Sequence, residues 1–219
     1  MGLAGGKIIT NKTAKLGIIS SGRGENLRYI LLAERNGCLP GQVALVLADQ
    51  PQAGALRIAG EFSVPHEFID PSGLSRQEYD RRLRERLDGA GVDLVILTGY
   101  MRILSPEFVR HYKNRILNIH PALLPSFRGL DAFSQALEWG VQWTGTTVHV
   151  VDEDVDHGPI VYQRPVPVLE GDSHESLKAR IQRAEYRAYP RAIKMFIEGN
   201  PRIEGRRIIW QRDEMRREG

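Results

Sequence analysis

Short apolar runs recur along this chain, and they limit the folds open to it more than any other feature. The runs are "LGIIS" from Leu16, "VALVLAD" from Val43 and "VDLVILTG" from Val92. A strand with one wet face alternates apolar and polar residues, whereas a strand apolar throughout needs cover on both faces. The stretches between the runs supply that cover. One helix is predicted from about Asn26, a second from about Gly54 to Phe62, and a third from Arg76, where Tyr79, Leu83 and Leu87 share a face. With a short strand near "HEFI", the order strand, helix, strand predicts an α/β fold: a Rossmann-like, doubly wound and mostly parallel sheet.

Beyond Ser105 the pattern continues into the C-terminal half. A helix through "PEFVRHY" leads to a strand at "ILNIHP", and a further helix carries Ala132, Phe133, Ala136 and Leu137. Two strands follow, at "TGTTVHVVD" and "GPIVYQRPVPV", then a long helix from about Ser173 with the stripe Leu177, Ile181, Ala184 and Ala188. "RRIIW" reads as a last edge strand. Without an internal repeat or a long linker, the expectation is one compact domain. It comprises a flexible arm over residues 1–14, a Rossmann-like lobe over 15–113 and a second lobe over 114–219, with a ligand cleft at their junction.

Composition narrows the function classes. A single cysteine, Cys38, allows no internal disulfide and points to a reducing, cytoplasmic setting. The first residues lack the apolar core of about 7 to 15 residues that a secretory signal needs, and no run of about 18 apolar residues predicts a membrane span. The net charge of +3 would permit a nucleic-acid partner, but arginines interleaved with acids, as in "SRQEYDRRLRERLDGAG", form a solvated helix face instead. Small-molecule substrates are expected, with no nucleic acid and no membrane, in a monomer or homodimer.

Three segments carry chemistry. "SSGRGENL" (Ser20 to Leu27) follows a strand and opens a helix, so its backbone N–H groups can converge on an anion; a plain strand-to-helix turn is the alternative. In "ILNIHP", Asn118 and His120 lie two residues apart, so a strand aims both at one face while Leu117 and Ile119 take the other. An amide can donate to a developing oxyanion and an imidazole can exchange a proton; a structural pair at a strand end is the bland reading. "VDEDVDHGPI" (Val151 to Ile160) lacks the spacing of a calcium loop, so no metal is expected, and a single aspartate there can orient an imidazole. His66, His111, His149 and His174 lack metal-ligand spacing and read as structural or surface residues.

Taken together, "NIHPALLPSFRG" and "GTTVHVVDEDVDHGPIV" closely resemble the formyltransferases that use 10-formyltetrahydrofolate. "SGRGENL" and "TGYMRILSP" narrow the resemblance to the branch that formylates a glycinamide ribonucleotide for purine synthesis. The resemblance implies that Asn118, His120 and Asp156 are the catalytic trio, and that Gly24, Glu25, Asn26, Pro121 and Glu185 bind the ribonucleotide. It implies a folate pocket made by Arg76, Met101, Arg102, Ile103, Leu104, Asp152 and Val155. The 15–113 lobe would then hold phosphate and the 114–219 lobe folate and catalysis. 10-Formyltetrahydrofolate is implied as co-substrate, without a metal. Glu185 also borders the buried stripe of its helix, where a carboxylate needs a partner; a surface ion pair is the alternative.

Formyltetrahydrofolate deformylases and methionyl-tRNA formyltransferases resemble the same motifs, but each normally adds a domain before or after the catalytic part. Only 14 residues precede the first strand and the chain ends soon after Trp210, so neither is expected. A non-catalytic folate-binding module would have no use for oxyanion donors.

Overall fold

The computed structural model describes residues 13–210. Seven strands form one sheet in the order β3-β2-β1-β4-β5-β6-β7. β1 (Ala14–Ser20), β2 (Gly41–Ala48), β3 (His66–Phe68), β4 (Leu94–Thr98) and β5 (Ile116–His120) run parallel. β6 (Trp143–Val150) returns antiparallel to β5, and β7 (Ile160–Pro167) antiparallel to β6. This is the mixed α/β, mostly parallel sheet that the apolar runs require. The sheet is continuous across residue 114, where Val95, Ile96 and Leu97 of β4 pair with Ile116, Leu117 and Asn118 of β5. Of the arm expected over 1–14, residues 1–12 lie outside the described residues, and Ala14 opens β1.

The apolar runs divide between two cores. Leu16, Ile18, Leu94, Ile96, Leu117 and Ile119 point to a face covered by α1 (Glu25–Arg35), α2 (Gly54–Glu61) and α6 (His174–Gly199). Ile19, Val95, Leu97 and Ile116 point to the other, covered by α3 (Arg76–Gly89) and α4 (Pro106–His111). Each such side chain contributes about 1.5–3 kcal/mol by leaving water, so the phase of the runs fixes which side of every strand faces which helix. A small third core joins α5 (Ala132–Glu138) to α6 and Val166 of β7.

The "RRIIW" segment does not extend the main sheet. Arg207–Ile209 forms β9, which pairs instead with β8 (Arg202–Glu204) in a separate two-stranded ribbon. Gly205 sits at φ 58 between them, supplying the turn that closes this local hairpin.

The chain leaves β1 toward β2 on one side and returns at β4 on the other, so the loops after β1 and β4 diverge and leave a crevice. Side chains brace its rim: Ser20 Oγ donates to the Thr98 carbonyl at 2.7 Å, and Ser21 Oγ accepts from Met101 N–H at 3.0 Å. Beneath it, the buried Tyr189 hydroxyl on α6 reaches the Leu97 and Leu117 carbonyls at 2.8 and 2.9 Å, tying the helix to β4 and β5. Tyr79, equally buried on α3, has a hydroxyl with no hydrogen-bond partner among the described residues. The two tyrosines should therefore respond oppositely to loss of the hydroxyl. Tyr189→Phe is expected to destabilise the fold by about 1–3 kcal/mol, whereas Tyr79→Phe should be neutral or stabilising, as denaturant melts will report.

Candidate active site

The first wall of the crevice is the turn between β1 and α1. Gly24 is the N-cap of α1 at φ 80, and a Cβ there would lie 2.7 Å from the Ala55 Cα, so the turn accepts only glycine. No side chain caps α1, which leaves its first-turn N–H groups free for an anion. They open onto a cavity of about 230 Å³ that Asn26, Pro121, Gln182 and Glu185 also line. Glu25 is half-buried in the first turn, where a carboxylate suits the helix dipole and competes with an incoming anion. Asn26 Nδ2 donates to Glu185 Oε2 at 3.1 Å, while Asn26 Oδ1 is buried without a partner among the described residues. Burial pushes the Glu185 carboxyl up to about 7, with the Asn26 hydrogen bond pulling the other way.

The second wall is β5. Asn118 and His120 share the face of Ile116, but they run past the cover that α4 gives it and so meet the crevice. Asp156 arrives from the loop after β6. Its Oδ2 lies 3.2 Å from His120 Nδ1 and accepts from the Gly129 N–H at 3.0 Å, while its Oδ1 lies 3.5 Å from both Asn118 Nδ2 and His149 Nε2. The backbone at Asp156 is held at φ 48, and two residues on a Cβ at Gly158 would fall 1.8 Å from the Val150 carbonyl oxygen. The loop thus folds tightly back on β6, and the strained aspartate is kept in place by its hydrogen bonds.

This geometry sets the charges. Burial works against the Asp156 carboxylate, but His149, His120 and the Gly129 N–H together hold its pKa below the usual value. Burial also pulls the His120 pKa down, against the opposing pull of Asp156 and of the Phe127 carbonyl, which stands 2.7 Å from Nε2. Both ring nitrogens face acceptors, so only the protonated ring can donate to both. His120 is poised to take up charge when a neighbouring group becomes negative.

His149 is the residue that sequence reasoning missed. Expected to be structural or surface, it is buried in the cluster, with Nε2 3.3 Å from Asn118 Nδ2. The signal lay in the pairing of β5 with an antiparallel β6, which sets Asn118 directly opposite His149.

A larger cleft of about 620 Å³ adjoins the cluster, with Asn118, His120, His149 and Asp156 in its wall. Met101, Arg102, Ile103, Leu104, Asp152 and Val155 line it as well. Met101, Ile103 and Val155 are 68%, 54% and 50% exposed, which leaves an apolar surface open to solvent inside the cleft. Arg102 lies over the Tyr79 ring at 5.0 Å, and Asp152 is engaged with His157 Nδ1 at 2.7 Å. Arg76 stands apart, exposed at the start of α3 and outside this wall. Among the described residues no group of three or more His, Cys, Asp or Glu is placed to hold a metal ion, and no helix is long and apolar enough to cross a membrane.

An uncapped helix start set beside an amide, two imidazoles and a carboxylate is an arrangement suited to group transfer, and similarity to known proteins places the chain among group-transfer enzymes. It belongs to the formyl transferase family, whose sequence pattern matches residues 14–193. Phosphoribosylglycinamide formyltransferase of Escherichia coli (strain K12) is 42% identical over 183 residues, 83% of this chain and 86% of that protein. The trifunctional purine biosynthetic protein adenosine-3 of Gallus gallus is 40% identical over 208 residues; the match takes in 94% of this chain but only 21% of that relative's length. The crystal structure of glycinamide ribonucleotide transformylase 1 from Symbiobacterium toebii matches with a TM-score of 0.89 at 48% identity, covering 92% of this chain and 95% of that one.

Glu185 generates a pH prediction. Its folded pKa of about 7 stands above the ordinary carboxyl value of 4.5, so between the two the folded chain holds a proton that the unfolded chain releases. Stability contributed by this group is complete below about pH 4.5 and is lost as pH rises to about 7, by an amount on the order of 3 kcal/mol. Thermal melts across that window should show a falling midpoint that Glu185→Gln flattens. Parallel curves for the two proteins would refute the assignment.

Proposed function

We propose that this chain transfers the formyl group of 10-formyltetrahydrofolate to the primary amine of 5-phosphoribosylglycinamide, a step of purine biosynthesis. The observation that carries this reading is the meeting of two clefts at one polar cluster. The anion cavity at α1 and the larger cleft share Gly99, Met101, Ile119 and Pro121 in their walls. Asn118, His120 and Asp156 stand beside that shared wall. A phosphorylated amine held from one side and a formyl donor from the other would meet there, which is where proximity lowers the barrier. The single exposed cysteine fits a reducing, cytoplasmic setting.

In this reading the first-turn N–H groups of α1 at Glu25 and Asn26 hold the ribonucleotide phosphate, and Glu185 faces its sugar or amine. The exposed Met101, Ile103 and Val155 cover the folate ring system, with the buried Leu104 behind them. Arg76 could reach only a part of the folate that extends beyond the cleft, as a carboxylate tail does.

The amine attacks the formyl carbon, and the carbonyl electron pair moves onto oxygen. Asn118 donates to that oxygen; its present bonds, at 3.3 and 3.5 Å, are long enough to give way. Protonated His120, steadied by Asp156 at Nδ1 and by the Phe127 carbonyl at Nε2, stabilises the negative oxygen through its charge. When the oxygen's electrons return, the bond from carbon to N10 breaks. The proton lost by the amine passes to N10 through a water that Asp156 orders, and no covalent enzyme intermediate forms.

Loss of one oxyanion donor should cost about 100- to 1,000-fold in turnover. Asn118→Ala and His120→Ala are each expected in that range, measured by the absorbance change as the folate loses its formyl group. Turnover within about tenfold of wild type would remove the assigned role. The same assay without glycinamide ribonucleotide should be silent. Formyl loss without the amine would identify a deformylase, and no turnover in any condition would leave a binding module.

A further inference from the structure

Behind the anion cavity, between the edge strand β7 and helix α6, lies a second concavity of about 520 Å³. Arg164 reaches into it from β7, Arg180, Arg183 and Arg187 from α6, and Tyr29 of α1 meets Tyr186 of α6 on its wall. Arg180 is already engaged, its Nη2 donating to Asp172 Oδ1 at 2.7 Å. Arg164, Arg183 and Arg187 have no carboxylate partner among the described residues. Three uncompensated guanidiniums on one concave surface repel one another and raise the local concentration of anions.

Two further features say what kind of anion. The rings of Tyr29 and Tyr186 are stacked, with centroids 4.4 Å apart and planes 8° from parallel, and both line the cavity, offering a flat aromatic surface. The rim of β7 carries Pro165 and Pro167, which have no N–H to offer, so the strand edge is blocked against pairing with an extended peptide or a second copy of the sheet. What remains is a pocket of small-molecule size with planar donors suited to phosphate oxygens.

We propose that this cleft is a second ligand site, distinct from the formyl-transfer centre, and that it takes a nucleoside polyphosphate. Its phosphates meet Arg164, Arg183 and Arg187, and its base lies against the Tyr29–Tyr186 pair. Tyr186 also lines the anion cavity, so the two sites share one side chain.

The test is calorimetric titration with ATP, using the full chain and the exposed double variant Arg183→Ala/Arg187→Ala. Wild type is expected to bind ATP with a Kd below about 1 mM, and to do so with glycinamide ribonucleotide already saturating. The double variant should bind at least about tenfold more weakly while its melting temperature and formyl transfer stay unchanged. Inorganic triphosphate should bind more weakly than ATP. The proposal falls if ATP does not bind, if glycinamide ribonucleotide displaces it, or if the double variant binds equally well. Triphosphate binding as tight as ATP would overturn the nucleoside part. All these readouts are binding events, so they stand apart from the outcome of the formyl-transfer assay.

Discussion

The site depends on the reversal of strand direction between β5 and β6. A parallel strand beside β5 would have needed a crossover of a dozen residues or more and would have run its C-terminal end to the same rim. The antiparallel return instead sets Asn118 opposite His149 and His120 opposite Thr147, and carries the chain into the tight loop that holds Asp156. One register decision thereby assembles four polar side chains. A slip by one residue would turn His149 to the opposite face and replace it with an apolar neighbour.

Within the cluster, the carboxylate is the organising charge. An ionised group this far from water is tolerated only when its lone pairs are met, and Asp156 has the Gly129 N–H, both imidazoles and the Asn118 amide around it. Three of those four contacts are 3.2 Å or longer, so the network is complete but loose. In the proposed reaction such a network would tighten around a developing negative charge. That favours differential stabilisation of a transition state over a rigid resting arrangement.

Much of this architecture could be read from the chain because it follows from local chemistry. The runs at Leu16, Val43 and Val92 announced buried parallel strands, and Ser75 and Ser173 mark helix starts whose capping bonds are formed. The same-face logic for Asn118 and His120 needed only strand periodicity. What escaped depended on partners distant in sequence. His149 looked like an isolated histidine because its significance lies in the strand it faces, 31 residues away. The "RRIIW" segment looked like an edge strand because its apolar pattern is that of a strand; which partner it takes was decided by Gly205 and by the short reach to Arg202. Arg76 was placed by resemblance alone, and a long exposed side chain at a helix start carries no local signal for what it meets.

Glu185 and Asn26 show where the fold gives up stability. A buried carboxyl with a single donor, beside an amide oxygen with no donor at all, is a poor core arrangement, and an apolar pair would pack better. Its position explains its survival. The pair sits on the wall of the cavity where α6 meets the first turn of α1, so a group that binds there could meet the capacity it leaves unused. The phenol of Tyr79, also without a hydrogen-bond partner among the described residues, lies in the core beneath α3 with the Arg102 guanidinium over its ring, so an orphaned polar atom does not by itself mark a binding wall.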